Sequence, residues 1–181
     1  MIKLVATDID GTILGKSGEF TLGVKNCIKT LQDKGIKVVI ITGRMFAAAR
    51  QIAKRVNLTT PVVAYQGGMI KENADSDNIL YQACIPLDDV RKIIEWARAN
   101  NIHLNLYSND ILYVEHDNDT IKRYAKHQNI PYKVCSFDNI KLENINKLLA
   151  INYNDADMVT GWIKDRQKAL PHLYIDRKSV V

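Results

Sequence analysis

The chain has 181 residues, 46% hydrophobic and 25% charged. That suits one globular domain, or one with a smaller module inserted, and excludes a disordered, collagen-like or low-complexity polymer. The formal net charge is +5, but Lys and Arg are scattered and no aromatic-and-basic stretch accompanies them, so small anionic ligands or a solvated surface are expected and nucleic acid is not.

No apolar run reaches the roughly 18 residues that cross a membrane. Asp8 and Asp10 cut off the N-terminal apolar run, so no signal peptide is expected. Cys27, Cys84 and Cys135 lie far apart and form no CxxC pair, which argues against a zinc site or a disulfide framework. The expectation is a cytoplasmic protein, not bound to a membrane, with reduced and partly buried thiols.

In chain order, residues 2–7 read as a buried strand running into a tight loop at Gly11-Thr12. Leu22, Val24, Ile28 and Leu31 recur at helical spacing, with Thr21 as N-cap and Gly35 as stop. Residues 36–41, a β-branched run, predict a strand buried on both faces of a parallel sheet. Residues 45–56 predict a second helix and 62–65 a third strand.

The alternation predicts an α/β fold with a partial Rossmann-like, doubly wound parallel sheet, whose ligands bind at the carboxyl ends of the strands. Residues 66–85 predict a β-hairpin. Helices follow over 87–101, 118–128 and 155–168. Strands are expected at 103–107, 111–115, 132–135, 147–153 and 172–176. This second part is α+β in character, so two segments are expected, 1–82 and 83–181.

The informative stretch is Asp8-Ile9-Asp10-Gly11-Thr12. A strand delivers two carboxylates to the sheet's carboxyl edge, and side chains at i and i+2 of an extended segment share one side. One carboxylate can act as nucleophile toward phosphorus and the other as general acid and base. Hard oxygens of this kind suit Mg²⁺. The bland alternative is a polar turn, since Asp-Gly is a common turn dipeptide.

These residues resemble the first motif of the haloacid dehalogenase superfamily. Val38-Val39-Ile40-Ile41-Thr42-Gly43-Arg44 resembles its second motif in the Thr-Gly-Arg form of the Cof-type phosphatases. Tyr65-Gln66-Gly67-Gly68-Met69-Ile70 is similar to that branch's segment after the third strand, where Asn is usual in place of Gln66. The later α+β part resembles the branch's cap.

The resemblance implies a Mg²⁺-dependent phosphatase of small phosphorylated metabolites, working through an aspartyl-phosphate. Asp8 would be the nucleophile and Asp10 the general acid/base. The Asp8 carboxylate and the Asp10 carbonyl would hold the metal. Thr42 and Gly43, with the Gly11 and Thr12 amides, would bind the phosphoryl group. Arg44 would face the substrate or make a surface salt bridge, and Thr42 would double as a helix N-cap.

The family pattern also includes a later Lys and a later acidic motif. Neither has a clear match here. Lys178 lacks the family's context, and Asn154-Asp155-Ala156-Asp157-Met158 has the wrong spacing and reads more simply as an acidic helix start. A chain truncated within the cap is therefore expected, with an exposed core edge through which it self-associates. A fragment that binds without turnover is the alternative function, and a response-regulator-like phosphoacceptor is a weaker one. His103, His116, His127 and His172 are expected at the surface or half-buried, and Tyr107 and Tyr113 are candidates to face substrate.

Overall fold

The computed structural model describes residues 2–15, 18–153 and 155–176. Lys178 and Asn154 lie outside the described residues. The chain divides into two compact units, Met1–Ala83 and Cys84–Val181. Among the described residues no helix is long and apolar enough to cross a membrane.

The first unit carries β1 (Leu4–Thr7), α1 (Leu22–Asp33), β2 (Lys37–Ile41), α2 (Phe46–Arg55), β3 (Val62–Ala64), β4 (Met69–Lys71) and β5 (Ile79–Gln82). The sheet order is β1-β2-β3-β4-β5. The first three strands are parallel, and β4 and β5 add on as antiparallel strands. The hairpin expected over 66–85 is this β4–β5 pair. Thr21 caps α1 by accepting the Val24 N–H at 3.3 Å, and Gly35 at φ +72° ends the turn beyond it.

Two parallel crossovers that advance in one direction place α1 and α2 on the same face of the sheet when each takes the usual right-handed path. Val38, Ile40, Val62 and the α2 residues Phe46, Ala49 and Ile52 make the buried side. The opposite face carries Leu4, Ala6, Val39, Ile41 and Val63 and is only half-covered. This corrects the expectation for residues 36–41: β2 alternates, with Val38 and Ile40 buried and Ile41 44% exposed. β1 is the edge of the sheet, and its Leu4 is 51% exposed.

The second unit carries α3 (Leu87–Ala99), β6 (His103–Ser108), β7 (Ile111–Val114), α4 (Asp119–Gln128), β8 (Lys133–Val134), β9 (Ile145–Ile151) and α5 (Ala156–Ala169). Its sheet runs β8-β7-β6-β9. The β6–β7 hairpin turns on Asn109 and Asp110, both at positive φ, as a two-residue hairpin loop requires. α4 is bounded by Asn118, which accepts the Ile121 N–H, and by Asn129 in the left-handed conformation.

Val90, Ile94 and Ala97 of α3 pack on Leu104, Leu106, Ile145 and Phe137 to form this unit's core. Three details depart from expectation. Residues 172–176 form no strand; His172 instead bonds the Asp89 carboxylate at 2.6 Å. Tyr107 is buried, its hydroxyl 2.7 Å from that of Tyr124, and Tyr113 packs against the core cluster. Cys27 and Cys84 are exposed and only Cys135 is half-buried.

Candidate active site

The alternation of burial through the first motif orients its side chains. Ile9 is fully buried, whereas Asp8 is exposed and Asp10 half-exposed on either side of it. The apolar residue anchors the loop in the core and turns both carboxylates away from it. Ile13 and Leu14 bury the far side of the turn. The Ile9 carbonyl accepts N–H bonds from Ile13 at 3.1 Å and Leu14 at 2.9 Å, which fixes a compact loop directly beyond β1.

Asp8 Oδ1 accepts the Ile9 N–H at 2.7 Å. The Gly11 N–H donates to the Leu14 carbonyl at 3.1 Å and the Thr12 N–H to the Ile9 carbonyl at 3.3 Å. Both amides expected at the phosphoryl group are therefore engaged within the loop. Gly11 sits at φ +73°, where a side chain would be strained.

The second motif leaves β2 beside this loop, because Thr7 is in register with Ile40. Thr42 is 2% exposed. Its N–H donates to the Val63 carbonyl at 2.9 Å, and its hydroxyl accepts the Arg44 N–H at 3.3 Å. Thr42 does not cap the helix. Met45 occupies the N-cap position of α2 and supplies no side-chain bond.

Arg44 makes a salt bridge, one of the two roles expected for it, with a partner the sequence did not name. Its side chain is 9% exposed and grips Asp10 with two bonds, Nε to Oδ2 at 3.0 Å and Nη2 to Oδ1 at 2.6 Å. This is the bidentate ion pair of a guanidinium with a carboxylate. Through it Arg44 joins the two motifs. A pair 34 residues apart leaves no periodic trace, so only the approach of two strand ends reveals it.

The segment after β3 completes the lacing. The Tyr65 N–H donates to the Arg44 carbonyl and the Gln66 N–H to the Thr42 carbonyl, each at 2.9 Å. To do so, Tyr65 and Gln66 adopt positive φ values of 52° and 56°. The left-handed region accepts Asn more readily than Gln.

The donors available to a metal are hard oxygens on one loop: the Asp8 carboxylate and the Asp10 main-chain carbonyl. They suit Mg²⁺, which takes few protein ligands and keeps several waters. Among the described residues no three acidic, His or Cys side chains converge as a cation cage. The loop thus fits part of an octahedral shell and not a closed one.

Residues 5–178 match the family model of haloacid dehalogenase-like hydrolases. The chain is 28% identical over 123 residues to a 5-amino-6-(5-phospho-D-ribitylamino)uracil phosphatase, YitU, of Bacillus subtilis, an alignment covering 67% of this chain and 46% of that protein. The solved structure of TM0651 from Thermotoga maritima superposes with a TM-score of 0.81 at 25% identity, covering 99% of this chain and 66% of the other. A subclass IIB sugar phosphatase, BT4131, shares the fold with a TM-score of 0.82 at 16% identity, covering 98% of this chain and 66% of that one. The chain spans about half the length of the curated relatives it matches.

Proposed function

The chain belongs to the haloacid dehalogenase-like hydrolase family, and from that premise we propose that it serves a Mg²⁺-dependent phosphatase of the Cof type, acting on small phosphorylated metabolites. The observation that carries this reading is the placement of Asp8 and Asp10 around the buried Ile9, beside Thr42 on the neighbouring strand end.

In the proposed reaction an Asp8 carboxylate oxygen attacks phosphorus. The bond from phosphorus to the leaving alkoxide breaks, and Asp10 gives that oxygen its proton. Water then attacks the phosphorus of the acyl phosphate while Asp10 takes a proton back, and inorganic phosphate leaves Asp8. Bound Mg²⁺ supplies positive charge at the phosphoryl oxygens. In this reading the Thr42 hydroxyl and Gly43, which follow the neighbouring strand β2, bind the phosphoryl oxygens.

The Arg44 pair bears on this cycle. A carboxylate held by two guanidinium N–H bonds is kept ionised and has no proton to give. Both half-reactions therefore require the pair to loosen, the first so that Asp10 carries a proton to give and the second so that it takes one from water. Arg44 is in this reading a positioning residue.

The test is turnover of p-nitrophenyl phosphate with Mg²⁺ by the full chain and by Asp8→Asn. Loss of all turnover in the variant is expected, and equal rates would overturn the catalytic assignment.

A second reading is favoured by the open edge. Strand β1 carries no charge or proline that blunts it, and its Leu4 and the adjacent Ile2 are exposed. Under this reading the chain binds phosphate and Mg²⁺ without turnover and associates with a second copy through β1. Light scattering after size exclusion separates the readings: a monomer with Asp8-dependent turnover excludes the second.

A further inference from the structure

A line of hydrogen bonds in the second unit runs from a helix start into the sheet. Asn118 Oδ1 accepts the Ile121 N–H at 3.1 Å and so caps α4. Asn118 Nδ2 lies 3.2 Å from Nδ1 of His103, the first residue of β6. His103 Nε2 lies 2.9 Å from Oδ1 of Asn105, two residues further along the strand. Side chains two apart on a strand share a face, which lets the ring reach the amide.

A main-chain N–H fixes the direction of every bond in this line. The Ile121 N–H can only donate, so the Asn118 atom beside it is the carbonyl oxygen and the atom turned to His103 is the amide nitrogen. That nitrogen also only donates, so His103 Nδ1 accepts. A neutral imidazole carries one proton, which then sits on Nε2 and is donated to Asn105 Oδ1. The arrangement accounts for an otherwise costly group. Asn105 is fully buried, and its Nδ2 has no hydrogen-bond partner among the described residues. Turning that amide over would set a donor against the Nε2–H, so the orphan stays.

The surroundings do not invite a second proton. Arg98 of α3, Glu115 and His116 beyond β7, Asp119 and Arg123 of α4 and Tyr153 beyond β9 line the cavity on which His103 opens. Arg98 and Glu115 are already paired at 2.6 Å. Asp117, just before Asn118, is engaged by Lys122 and by the Tyr132 hydroxyl. On β9 the residues opposite His103 and Asn105 are the uncharged Ile151 and Leu149. Burial pushes the His103 pKa below its ordinary 6.5, the bond to Asn105 pulls it back in part, and His116 adds to the fall. A proton added at Nδ1 would face the Asn118 Nδ2 hydrogens, donor against donor. Relief requires Asn118 to turn over, and its Oδ1 then leaves the Ile121 N–H.

We propose that His103 is an acid-sensitive latch on α4: the neutral ring holds Asn118 in its capping pose, and a proton on Nδ1 releases the first turn of the helix. Asn118, Asp119 and Thr120 line a cavity of about 1050 Å³ at this end of the sheet, so release opens one of its walls. The latch does not depend on turnover at Asp8.

The test is an NMR titration of the full chain from about pH 7.5 to about pH 5, across the range in which histidine titrates. With a folded pKa below 6.5, the cap is complete above that ordinary value and is lost as pH falls through the lowered one. Relative to its intrinsic rate, the Ile121 amide should exchange about fivefold faster once the ring is charged, which corresponds to the loss of one helix cap. Its midpoint should coincide with that of the His103 ring. Asn118→Asp reverses the effect, because a carboxylate accepts from both the Ile121 N–H and a charged ring. In that variant the cap should persist throughout, and the ring should bind its proton about tenfold more tightly. The proposal is overturned if Ile121 stays equally protected while His103 titrates, if the neutral ring carries its proton on Nδ1, or if folded Asn118→Asp titrates like its parent. Should that variant fold poorly, the titration of the parent decides alone.

Discussion

In the first unit Asp8 stands exposed on a loop and Asp10 is held by one arginine. In the second, Glu115 and Asp138 share both sides of Arg98, and Asp89 is bonded by His172 and Lys92. Arg98 holds the Glu115 and Asp138 carboxyls below their usual range, and His172 does the same for Asp89. The carboxylates of the second unit join distant segments: α3 to the end of β7, and the chain beyond α5 back to α3. In the first unit Asp8 and Asp10 share one loop, whereas Glu19, Asp75 and Asp77 pair with Arg55, Lys54, Arg50 and Lys71 at exposed positions. The difference also shows in the sheets. β6 is buried along nearly its whole length, whereas β1 is half-exposed on its own face and at its edge.

The comparison is open to breaking. Leu106, fully buried in the second unit, should cost about 2–5 kcal/mol when changed to Ala. A thermal or urea melt followed by tryptophan fluorescence reads that unit, since Trp96 and Trp162 both lie in it. A loss below about 1 kcal/mol would mean that its core is not the cooperative one.

Arg44→Lys keeps the charge and removes the fork. If Arg44 positions Asp10, kcat should fall about tenfold with little change in KM for p-nitrophenyl phosphate. A rise in KM with kcat intact would return Arg44 to the substrate-facing role that its position in the motif implied.

The acid limb of stability is a smaller effect. Asp89 and Glu115 have depressed pKa values, from ordinary values of 3.8 and 4.5. Their contribution is complete above those ordinary values and is lost as pH falls through the lowered folded values. Melting temperature should therefore drop below about pH 4.5, and Asp89→Asn should flatten the lower part of that drop. An unchanged acid limb in the variant would show that the His172–Asp89 contact holds nothing. Smallest of all, Leu4→Lys at the β1 edge should alter monomer stability by less than about 0.5 kcal/mol while dissociating any copy docked there, as light scattering would show.

Much of this was readable from the sequence where the signal is local. The β-branched run before Thr42, the Thr21 and Asn118 caps and the turn at Asn109-Asp110 each announce their element through neighbours a few residues away. Asp155 caps α5 by accepting the Met158 N–H at 2.8 Å, which agrees with reading that segment as a helix start. What the sequence hid is long in range. The Arg44–Asp10 pair, the bond from His172 to Asp89 and the half-open face of β2 depend on which strands become neighbours, and no single window records that. The strand expected at 172–176 failed for the same reason: an apolar stretch becomes a strand only where a sheet edge receives it, and here a histidine contact ties the stretch to α3 instead.

The left-handed pair at Tyr65 and Gln66 has a consequence for how this protein tolerates change over generations. The links from there to Thr42 and Arg44 are made by main-chain atoms, so they survive replacement of the side chains that surround them. Drift at position 66 is then filtered by backbone conformation and not by the chemistry of the amide. Asn or Gly would ease the turn, and a β-branched residue would strain it and so loosen the two motif loops without touching Asp8 or Asp10.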